Sequence, residues 1–293
     1  MTLAAAFPDI TRPREPLAPY THLRIGGPAE FLVQPRTVDE LKAVLAFCQR
    51  DRVPVRMLGG GFNLLVRDDP VPGAVVRLAG PGFGWVESVG PRTLRAAGGG
   101  PLFELIAAAV TAGLSGLETL VGLRGTVGGS VRCNVGDRSG EIAAAVTRVA
   151  VLTDAGAEQV RPRDDLRFGD HSSDLDEPVI LWVEFALEPD QPEAILRRLR
   201  RAWVQRKATE PLSVQNAVRL FRDPPGWTAA ALIDKAGLAK TKVGGAEVSD
   251  RNPNYAVAHP GTTARDVLRL IDLVRERVAG HSGVALDREL HVW

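Results

Sequence analysis

The chain has 293 residues, a length that suits two domains better than one. Hydrophobic residues make up 45% of it and charged residues 24%, which is typical of a globular protein rather than a disordered or fibrous one. The formal net charge of +1 argues against a nucleic-acid partner held by a strongly basic surface.

The N-terminus and the two cysteines predict a cytoplasmic protein. The segment MTLAAAFPDITRPRE has a short apolar stretch without a basic segment before it, and no apolar run approaches the roughly 18 residues of a membrane span. Cys48 and Cys133 are far apart and lack the spacing of a metal site. We therefore expect free thiols in a reducing cytoplasm, no metal, and no membrane partner.

The first two-thirds of the chain predicts short helices and strands after an irregular, proline-rich lead-in over residues 1–18. Thr37 and Glu40 have the spacing of a capping box, so a helix is predicted at about 38–50. Pro101 marks the start of a second helix. The predicted strands and hairpins are 53–58, 73–78, the hairpin 85–100, the hairpin that turns at 154–156, and 179–187.

The composition changes near residue 188, where a strongly basic helix begins. Arg197, Arg198, Arg200 and Arg201 lie mostly off its apolar side and are interpreted as a solvated face. An α+β pattern follows. Its predicted elements are a helix at 228–236, a hairpin across 246–258, a long helix at 263–279 and a last strand, LHVW. Two domains with a boundary near 188–200 are the simplest organisation.

Two glycine-rich stretches need a reason, because glycine inside an element costs about 0.5–1 kcal/mol relative to alanine. The first is LGGGFNLL (58–65) and the second is VGLRGTVGGSVRCNVGD (121–137). In the first stretch, a leucine stands where the dinucleotide fingerprint Gly-x-Gly-x-x-Gly has its last glycine, and no amphipathic helix follows. The Gly-Lys-Ser/Thr of a P-loop does not occur in the chain. Two interpretations stay open: structural turns, or a nest of backbone N–H groups around an anion such as a pyrophosphate.

Five sequence blocks share an order and a compact spacing that are far more specific than any one motif. They are APYTHLRIGGPAEFLV (18–33), RMLGGGFNLLVRD (56–68), GLETLVGLRGTVGGSVRCNVG (116–136), GGAEVSDRNPNYAVA (244–258) and GVALDRELHV (283–292). Together they resemble the UDP-N-acetylenolpyruvoylglucosamine reductase family, flavoenzymes that complete UDP-N-acetylmuramate for peptidoglycan. The short path from Phe168 to the strand at 179 is similar to the family branch with the shorter substrate loop.

The resemblance implies a fold and a reaction. The implied fold is α+β, with a two-part FAD-binding domain of the vanillyl-alcohol-oxidase type at 19–187 and a C-terminal α+β substrate-binding domain at 200–293. In the family, hydride passes from NADPH by way of FAD to the enolpyruvyl ether of a UDP-sugar. An arginine and a glutamate stabilise the intermediate, and a serine gives the final proton. FAD and NADPH are therefore the implied cofactors, and a UDP-sugar is the implied small-molecule partner.

The resemblance also implies which residues bind FAD. The first glycine-rich loop is expected to wrap the pyrophosphate with backbone N–H groups, and the second stretch to lie along the cofactor from the other side. The implied cofactor-binding residues are Gly59, Gly60, Gly61, Phe62, Asn63, Leu64, Gly122, Gly125, Thr126, Gly128, Gly129 and Asn134. Phe62 replaces a family serine, so we expect weakened FAD binding, and an empty or partly filled site is credible.

The catalytic positions depart from the family pattern. The family block Pro-Ser-Ala/Cys-Gly-Ser-x-Phe reads QNAVRLF (215–221), which places Arg219 at the serine position. The block Phe-x-Tyr-Arg-x-Ser reads FGDHSS (168–173), which places His171 at the arginine position. Glu289 in LDREL retains the family glutamate. We therefore expect reduction of the UDP-sugar to be impaired or lost, while reduction of FAD by NADPH can survive.

Several interpretations of these positions stay open. Arg219 is not a proton donor, because a guanidinium has a pKa above about 12; it replaces the cation missing at 171, or it is a surface or ion-paired arginine in a site no longer used. His171 is a cation paired with Asp170 or a solvated loop histidine. Glu289 is a site acid or an edge-strand charge. The candidate substitute donors are Ser172, Ser173 and Ser213.

Three functions remain open for the whole chain. The first is an FAD-binding oxidoreductase of the family it resembles. The second is a non-catalytic homologue that binds a nucleotide or a protein, without FAD. The third is a flavoenzyme with a different acceptor.

Overall fold

The structure, a computed structural model, describes residues 2–137, 139–211 and 216–293. The α-helices are α1 (Leu3–Ala6), α2 (Val38–Arg50), α3 (Leu102–Thr111), α4 (Val127–Arg132), α5 (Pro192–Thr209), α6 (Ala229–Lys235) and α7 (Ala264–Ser282). This α+β content confirms the predicted fold class. Across the described ranges, every helix is too short or too polar to cross a bilayer.

The strands are short and numerous. They are β1 (Thr11–Pro13), β2 (Ala29–Val33), β3 (Val55–Leu58), β4 (Leu64–Leu65), β5 (Val71–Arg77), β6 (Val86–Gly90), β7 (Thr93–Ala97), β8 (Leu114–Ser115), β9 (Gly136–Asp137), β10 (Gly140–Glu141), β11 (Val146–Leu152), β12 (Glu158–Pro162), β13 (Phe168–Gly169), β14 (Ser172–Ser173), β15 (Val179–Ala186), β16 (Glu188–Pro189), β17 (Ala217–Arg219), β18 (Lys242–Val243), β19 (Ala246–Val248), β20 (Tyr255–Ala258) and β21 (His291–Val292).

The chain forms two compact units, each built from three segments. The first unit contains Met1–Pro13, Phe31–Gly60 and Pro72–Val204, and the second contains Arg14–Glu30, Gly61–Val71 and Gln205–Trp293. This division differs from the predicted continuous domains, because residues 14–30 and 61–71 group with the C-terminal part. The sequence pattern carried no sign of that grouping, since it depends on which segments pack together rather than on local periodicity.

The N-terminal segment is not the irregular lead-in that the sequence predicted. The hydroxyl of Thr2 accepts the N–H of Ala5 and caps α1, and β1 then pairs with β2, with Thr11 opposite Val33. The prolines suggested an irregular segment, but Pro13 stands in an edge strand, where a missing N–H is tolerated.

The first unit contains two separate sheets rather than one continuous sheet, in agreement with the predicted two-part organisation. One sheet has the strand order β1-β2-β5-β3, and the other has the order β12-β11-β15-β7-β6. Val44 of α2 belongs to the same buried cluster as Val76 of β5. Leu105 of α3 and Val149 of β11 belong to a second cluster. The hairpins β6–β7 and β11–β12 confirm the two turns predicted between residues 85 and 162.

The second unit is built on an antiparallel sheet with the order β17-β20-β19-β18. Ile233 of α6 and Val267 of α7 are buried in one cluster with residues of that sheet. Thr263 and Asp266 form the predicted capping box, and α7 continues to Ser282, three residues beyond its predicted end. The predicted hairpin across 246–258 is confirmed as β19–β20. The last strand, β21, pairs in parallel with β4.

Candidate functional site

Arg219 and Glu289 lie side by side in the second unit. Arg219 ends β17, and the backbone N–H of Glu289 donates to the carbonyl of Leu220 over 2.9 Å. The Nε of Arg219 lies 3.0 Å from a carboxylate oxygen of Glu289, and a second guanidinium nitrogen lies 3.2 Å from Asp223. The two paired side chains are 27% and 13% exposed. The structure thus brings together two of the predicted catalytic residues.

The guanidinium of Arg219 stays charged in this setting. Burial lowers its pKa, but the negative charges of Glu289 and Asp223 raise it by more, so the pKa is raised overall. Such a cation stabilises negative charge that develops nearby, but it does not release a proton. Position 219 therefore supplies a fixed cation beside a carboxylate. It does not supply a hydroxyl group that could donate a proton.

Tyr255 and Glu210 extend this cluster, and the sequence analysis missed both. Tyr255 stands opposite Arg219 in the pairing of β17 with β20. Burial raises the pKa of its phenol, and the nearby carboxylate of Glu210, which hydrogen-bonds to it, raises that pKa further. Glu210 also accepts a hydrogen bond of 2.7 Å from Arg206. The strand pattern of YAVA could have flagged Tyr255, but its pairing with β17 is not visible in the sequence.

His171 lies in the first unit, at the tip of a tight hairpin. Asp170 and His171 join β13 to β14, and His171 adopts a positive φ of 46°. Its Nε2 lies 3.8 Å from a carboxylate oxygen of Asp170, and its side chain is 20% exposed. The side chain is therefore mostly buried, which favours the interpretation of a histidine paired with Asp170 over that of a solvated loop residue.

Asn134 supports the hairpin that carries His171. Its side-chain nitrogen donates to the carbonyl of Gly169 over 2.9 Å and to Glu141 over 2.7 Å. Its side-chain oxygen accepts the N–H of Ala143 over 3.3 Å. Both ends of the amide are thus engaged within the chain, which gives the Asn134 side chain a positioning role for the hairpin rather than a free group for a cofactor.

The candidate substitute proton donors differ in how they are engaged. The hydroxyl of Ser173 donates to the carbonyl of Arg132 over 2.8 Å, so its proton is directed at the backbone. Ser172 stands beside it on β14 and is half-buried. Ser213 lies outside the described residues.

The second glycine-rich stretch contains a short helix, α4, that the sequence analysis did not predict. Thr126 caps it by accepting the N–H of Gly129 over 3.2 Å. A Cβ on Gly128 would lie 2.9 Å from the carbonyl oxygen of Gly98, so packing alone requires glycine there. A Cβ on Gly59 would lie 3.1 Å from the hydroxyl of Thr126, so the two glycine-rich stretches meet at these residues in the first unit. Gly122 and Gly125 precede this cap.

Gly61, in the second unit, is required by close packing of the backbone. Its φ is +66°, and a Cβ there would overlap the carbonyl oxygen of Tyr20 and lie 2.9 Å from the Cα of Thr21. The N–H of His22 donates to the carbonyl of Gly61 over 2.9 Å. The ring of Phe62 packs against His22, with ring centroids 4.9 Å apart. Local packing thus accounts for the third glycine of the triplet.

Asn63 and Leu64 connect the end of this loop to the segment that carries Glu289. The side-chain amide of Asn63 donates to the carbonyl of Glu289 over 3.3 Å, and the carbonyl of Asn63 accepts the N–H of His291 over 3.1 Å. Leu64 begins β4, which pairs with β21. Within the second unit, the end of the glycine-rich loop and Glu289 are therefore neighbours.

In the second unit, the backbone from Gly61 to Asn63 has the features of an anion-binding nest. Within the described chain, the N–H groups of residues 61–63 donate to no carbonyl and to no side chain. The left-handed conformation of Gly61 lets successive N–H groups converge, as a nest requires. A plain turn normally engages its partly buried N–H groups within the chain. This run therefore fits a diphosphate group such as that of FAD.

Two family models together match most of the chain. The model described as an FAD binding domain matches residues 29–161, which include the first glycine-rich loop and the whole of the second stretch. The model described as the C-terminal domain of UDP-N-acetylenolpyruvoylglucosamine reductase matches residues 210–293, which include Arg219, Tyr255 and Glu289.

Similar proteins extend this match to nearly the full length. The UDP-N-acetylenolpyruvoylglucosamine reductase of Syntrophobacter fumaroxidans is 39% identical over 95% of this chain and 82% of that relative. The reductase of the same name from Moorella thermoacetica is 37% identical over 95% of this chain and 92% of its own length. A crystal structure of UDP-N-acetylenolpyruvylglucosamine reductase from Thermus caldophilus is 36% identical, with a TM-score of 0.82 over 95% of this chain and 97% of that one.

Proposed function

The chain belongs to the UDP-N-acetylenolpyruvoylglucosamine reductase family, and from this premise we propose that it is an FAD-dependent oxidoreductase of peptidoglycan synthesis. Its proposed substrates are NADPH and UDP-N-acetylenolpyruvoylglucosamine. The observation that carries the proposal is the ion pair of Arg219 with Glu289, which sets a cation beside the retained family acid.

The glycine-rich loop supports FAD as the cofactor. The N–H groups of residues 61–63, in the second unit, would bind its pyrophosphate. When bound, FAD supplies the hydride chemistry of the reaction. Phe62 offers a ring in place of a hydroxyl donor, so the proposed affinity for FAD is lower than that of a chain with serine at this position.

Arg219 and Glu289 would act on the charge that develops on the carboxylate side of the enolpyruvyl group. A guanidinium fixed by two carboxylates is already oriented before the charge appears, which is the condition for strong electrostatic stabilisation. Arg219 would thus replace the cation that the family places at position 171. His171, beside Asp170, would then be free of that role.

The proposed site lacks the hydroxyl acid that the family uses for the last proton transfer. General acid catalysis is typically worth about 10²–10⁴-fold, and the charged Arg219 does not provide it. We therefore propose that oxidation of NADPH, which needs neither position, is retained, and that reduction of the UDP-sugar is slow.

An anaerobic rapid-mixing experiment tests both parts on one sample of the purified chain with FAD. NADPH oxidation is followed by absorbance, and the UDP-sugar product is followed by chromatography of quenched samples. We expect fast NADPH oxidation and product formation at least about 100-fold slower. Fast product formation would show that Arg219, His171 or a nearby serine has taken over proton delivery.

Two further outcomes separate the alternatives. NADPH oxidation without product on long incubation indicates a flavoenzyme with a different acceptor. A chain that binds no FAD by titration and oxidises no NADPH is a non-catalytic homologue, and the proposed function is then wrong.

A further inference from the structure

A cavity of about 470 Å³ opens in the second unit, between α7 and the C-terminal segment that ends in β21. Four of its lining residues carry basic side chains: Arg222, Arg275, Arg288 and His291. The acids Asp272 and Glu289 also line it. Its volume is in the range of sites that hold small metabolites.

The three arginines of this cavity form no ion pair with a described carboxylate. Among the described residues, no carboxylate lies within ion-pair distance of Arg222, Arg275 or Arg288. The Nε of Arg222 is buried and makes no hydrogen bond within the described chain. A buried guanidinium N–H without an acceptor is costly, so a ligand that supplies acceptor oxygens would be favoured here.

The two acids at the cavity do not neutralise it. Glu289 is engaged by Arg219, and Asp272 forms no ion pair within the described chain. Loss of solvent contact lowers the pKa of His291, and the charges of Arg222 and Arg288 lower it further. The charges of three arginines against one free carboxylate leave the cavity positive.

We propose that this cavity binds the phosphate or diphosphate group of a small metabolite. Guanidinium groups match phosphate oxygens with paired hydrogen bonds, and the three arginines of the cavity supply them. Arg219 does not line the cavity, whereas its partner Glu289 does, so the cavity adjoins the proposed catalytic pair. The proposal does not depend on the proposed function.

Titration with inorganic pyrophosphate at constant ionic strength tests the site on the full chain. Binding is measured by calorimetry, and the imidazole of His291 is followed by NMR. We expect saturable binding that raises the pKa of His291, because a bound anion offsets the charges of Arg222 and Arg288. Arg288→Gln is expected to weaken binding at least ten-fold, and Asp272→Asn to strengthen it by a few fold.

Arg277→Gln is the matched control, because Arg277 is, like Arg288, an exposed arginine; it lies in α7 but does not line the cavity. It is expected to leave pyrophosphate binding unchanged. The Arg288 side chain is exposed, so its replacement is not expected to prevent folding, which circular dichroism verifies. The proposal is overturned if pyrophosphate fails to bind, or if Arg288→Gln and Arg277→Gln weaken binding equally. A parallel titration with UDP shows whether a nucleotide diphosphate occupies the same cavity; sensitivity of that binding to Arg288→Gln supports the proposal.

Discussion

Glu289 approaches Arg219 through two separate contacts: its backbone N–H joins the strand end at Leu220, and its carboxylate lies 3.0 Å from the Arg219 guanidinium. The backbone contact fixes where the side chain starts, and the ion pair fixes where it points. The two side chains are only partly exposed, so solvent screens this pair less than a surface pair.

Glu289→Gln is expected to destabilise the chain by about 2 kcal/mol. Breaking an exposed ion pair lowers the free energy of unfolding by about 0–1 kcal/mol, and removing one partner of a buried pair lowers it by about 3–5 kcal/mol. The Arg219–Glu289 pair is partly buried, so the expected loss lies between these values. Urea unfolding measures the change, and a double-mutant cycle with Arg219→Gln isolates the coupling. The control is Asp250→Asn in the exposed pair of Lys240 with Asp250, expected to cost less than about 0.5 kcal/mol. Equal losses at both sites would show that the Arg219–Glu289 pair contributes no special stability.

The elements with strong local signals were the ones that the sequence predicted well. The apolar spacing of α2 and the capping box of α7 gave both helices within a few residues of their ends. The short helix α4 was missed, because Gly128 and Gly129 have low helix propensity and tertiary packing decides its formation.

The candidate site was predictable only where a motif covered it. Arg219 and Glu289 were found through the family blocks, whereas Tyr255 became visible only once β17 was seen to pair with β20. The glycine triplet illustrates the same limit. Its pattern suggested a ligand, but for Gly61 the structure gives a contact with the backbone of Tyr20, which no sequence motif encodes.

Gly61→Ala is expected to destabilise the chain by more than about 3 kcal/mol. The alanine would have to adopt the left-handed backbone conformation of Gly61. Its Cβ would also have to displace the backbone of Tyr20 and Thr21. Urea unfolding measures the loss. Gly280→Ala is the control: apart from its chain neighbours and the nearby backbone of α7, no described atom lies within 4 Å of its Cβ position, so it is expected to stabilise the chain by about 0.5–1 kcal/mol. A neutral Gly61→Ala would disprove the packing argument.

Tyr255 is expected to remain protonated in the folded chain at a pH where an ordinary tyrosine ionises. Burial and the carboxylate of Glu210 raise the pKa of Tyr255 in the folded state, so the folded state holds its proton more tightly than the unfolded state does. Its contribution to stability is present below the unfolded pKa, about 10, and is lost as the pH rises above that value.

Absorbance at 295 nm, which reports tyrosinate, measures this effect during titration from pH 9 to 11.5. The chain has two tyrosines, so Tyr255→Phe leaves Tyr20 as the reference. We expect the Tyr255→Phe variant to lack the part of the tyrosinate absorbance that rises at the highest pH. The stability of this variant should also fall less steeply above pH 10. If both tyrosines ionise together near pH 10, Glu210 and burial do not act on Tyr255 as described.

Phe62→Ser is expected to raise the affinity for FAD. A hydrogen bond to a charged group is worth ~1.5–3 kcal/mol, which corresponds to ten-fold or more in the dissociation constant. Phe62→Ala is the matched control, because it removes the same contact with His22 but adds no hydroxyl. Fluorescence titration of the FAD-free chains measures the dissociation constant for FAD in both variants and in the unmodified chain. Equal affinities of the serine and alanine variants would show that the side chain at 62 does not reach the pyrophosphate.

Arg219→Ser alone is expected to recover little reduction of the UDP-sugar. It places a hydroxyl at the position proposed to match the family serine, but it removes the Arg219 cation that pairs with Glu289. Loss of one stabilising donor typically costs about 10²–10³-fold, which offsets the gain from the acid.

The double variant Arg219→Ser with His171→Arg introduces both residues that we propose the family has at these positions, and it is expected to form product faster than either single variant. The rate gain of the double variant should exceed the gains of the two single variants multiplied together, because the acid and the cation act on the same intermediate. Product formation in single turnovers measures all four chains, with Glu289→Gln in the double background as the control that must lower the rate. Val218 is buried and replaces a family glycine, so Val218→Gly is added if the double variant folds but stays slow. If the triple variant also forms no product faster than the unmodified chain, the family assignment of positions 171 and 219 is wrong.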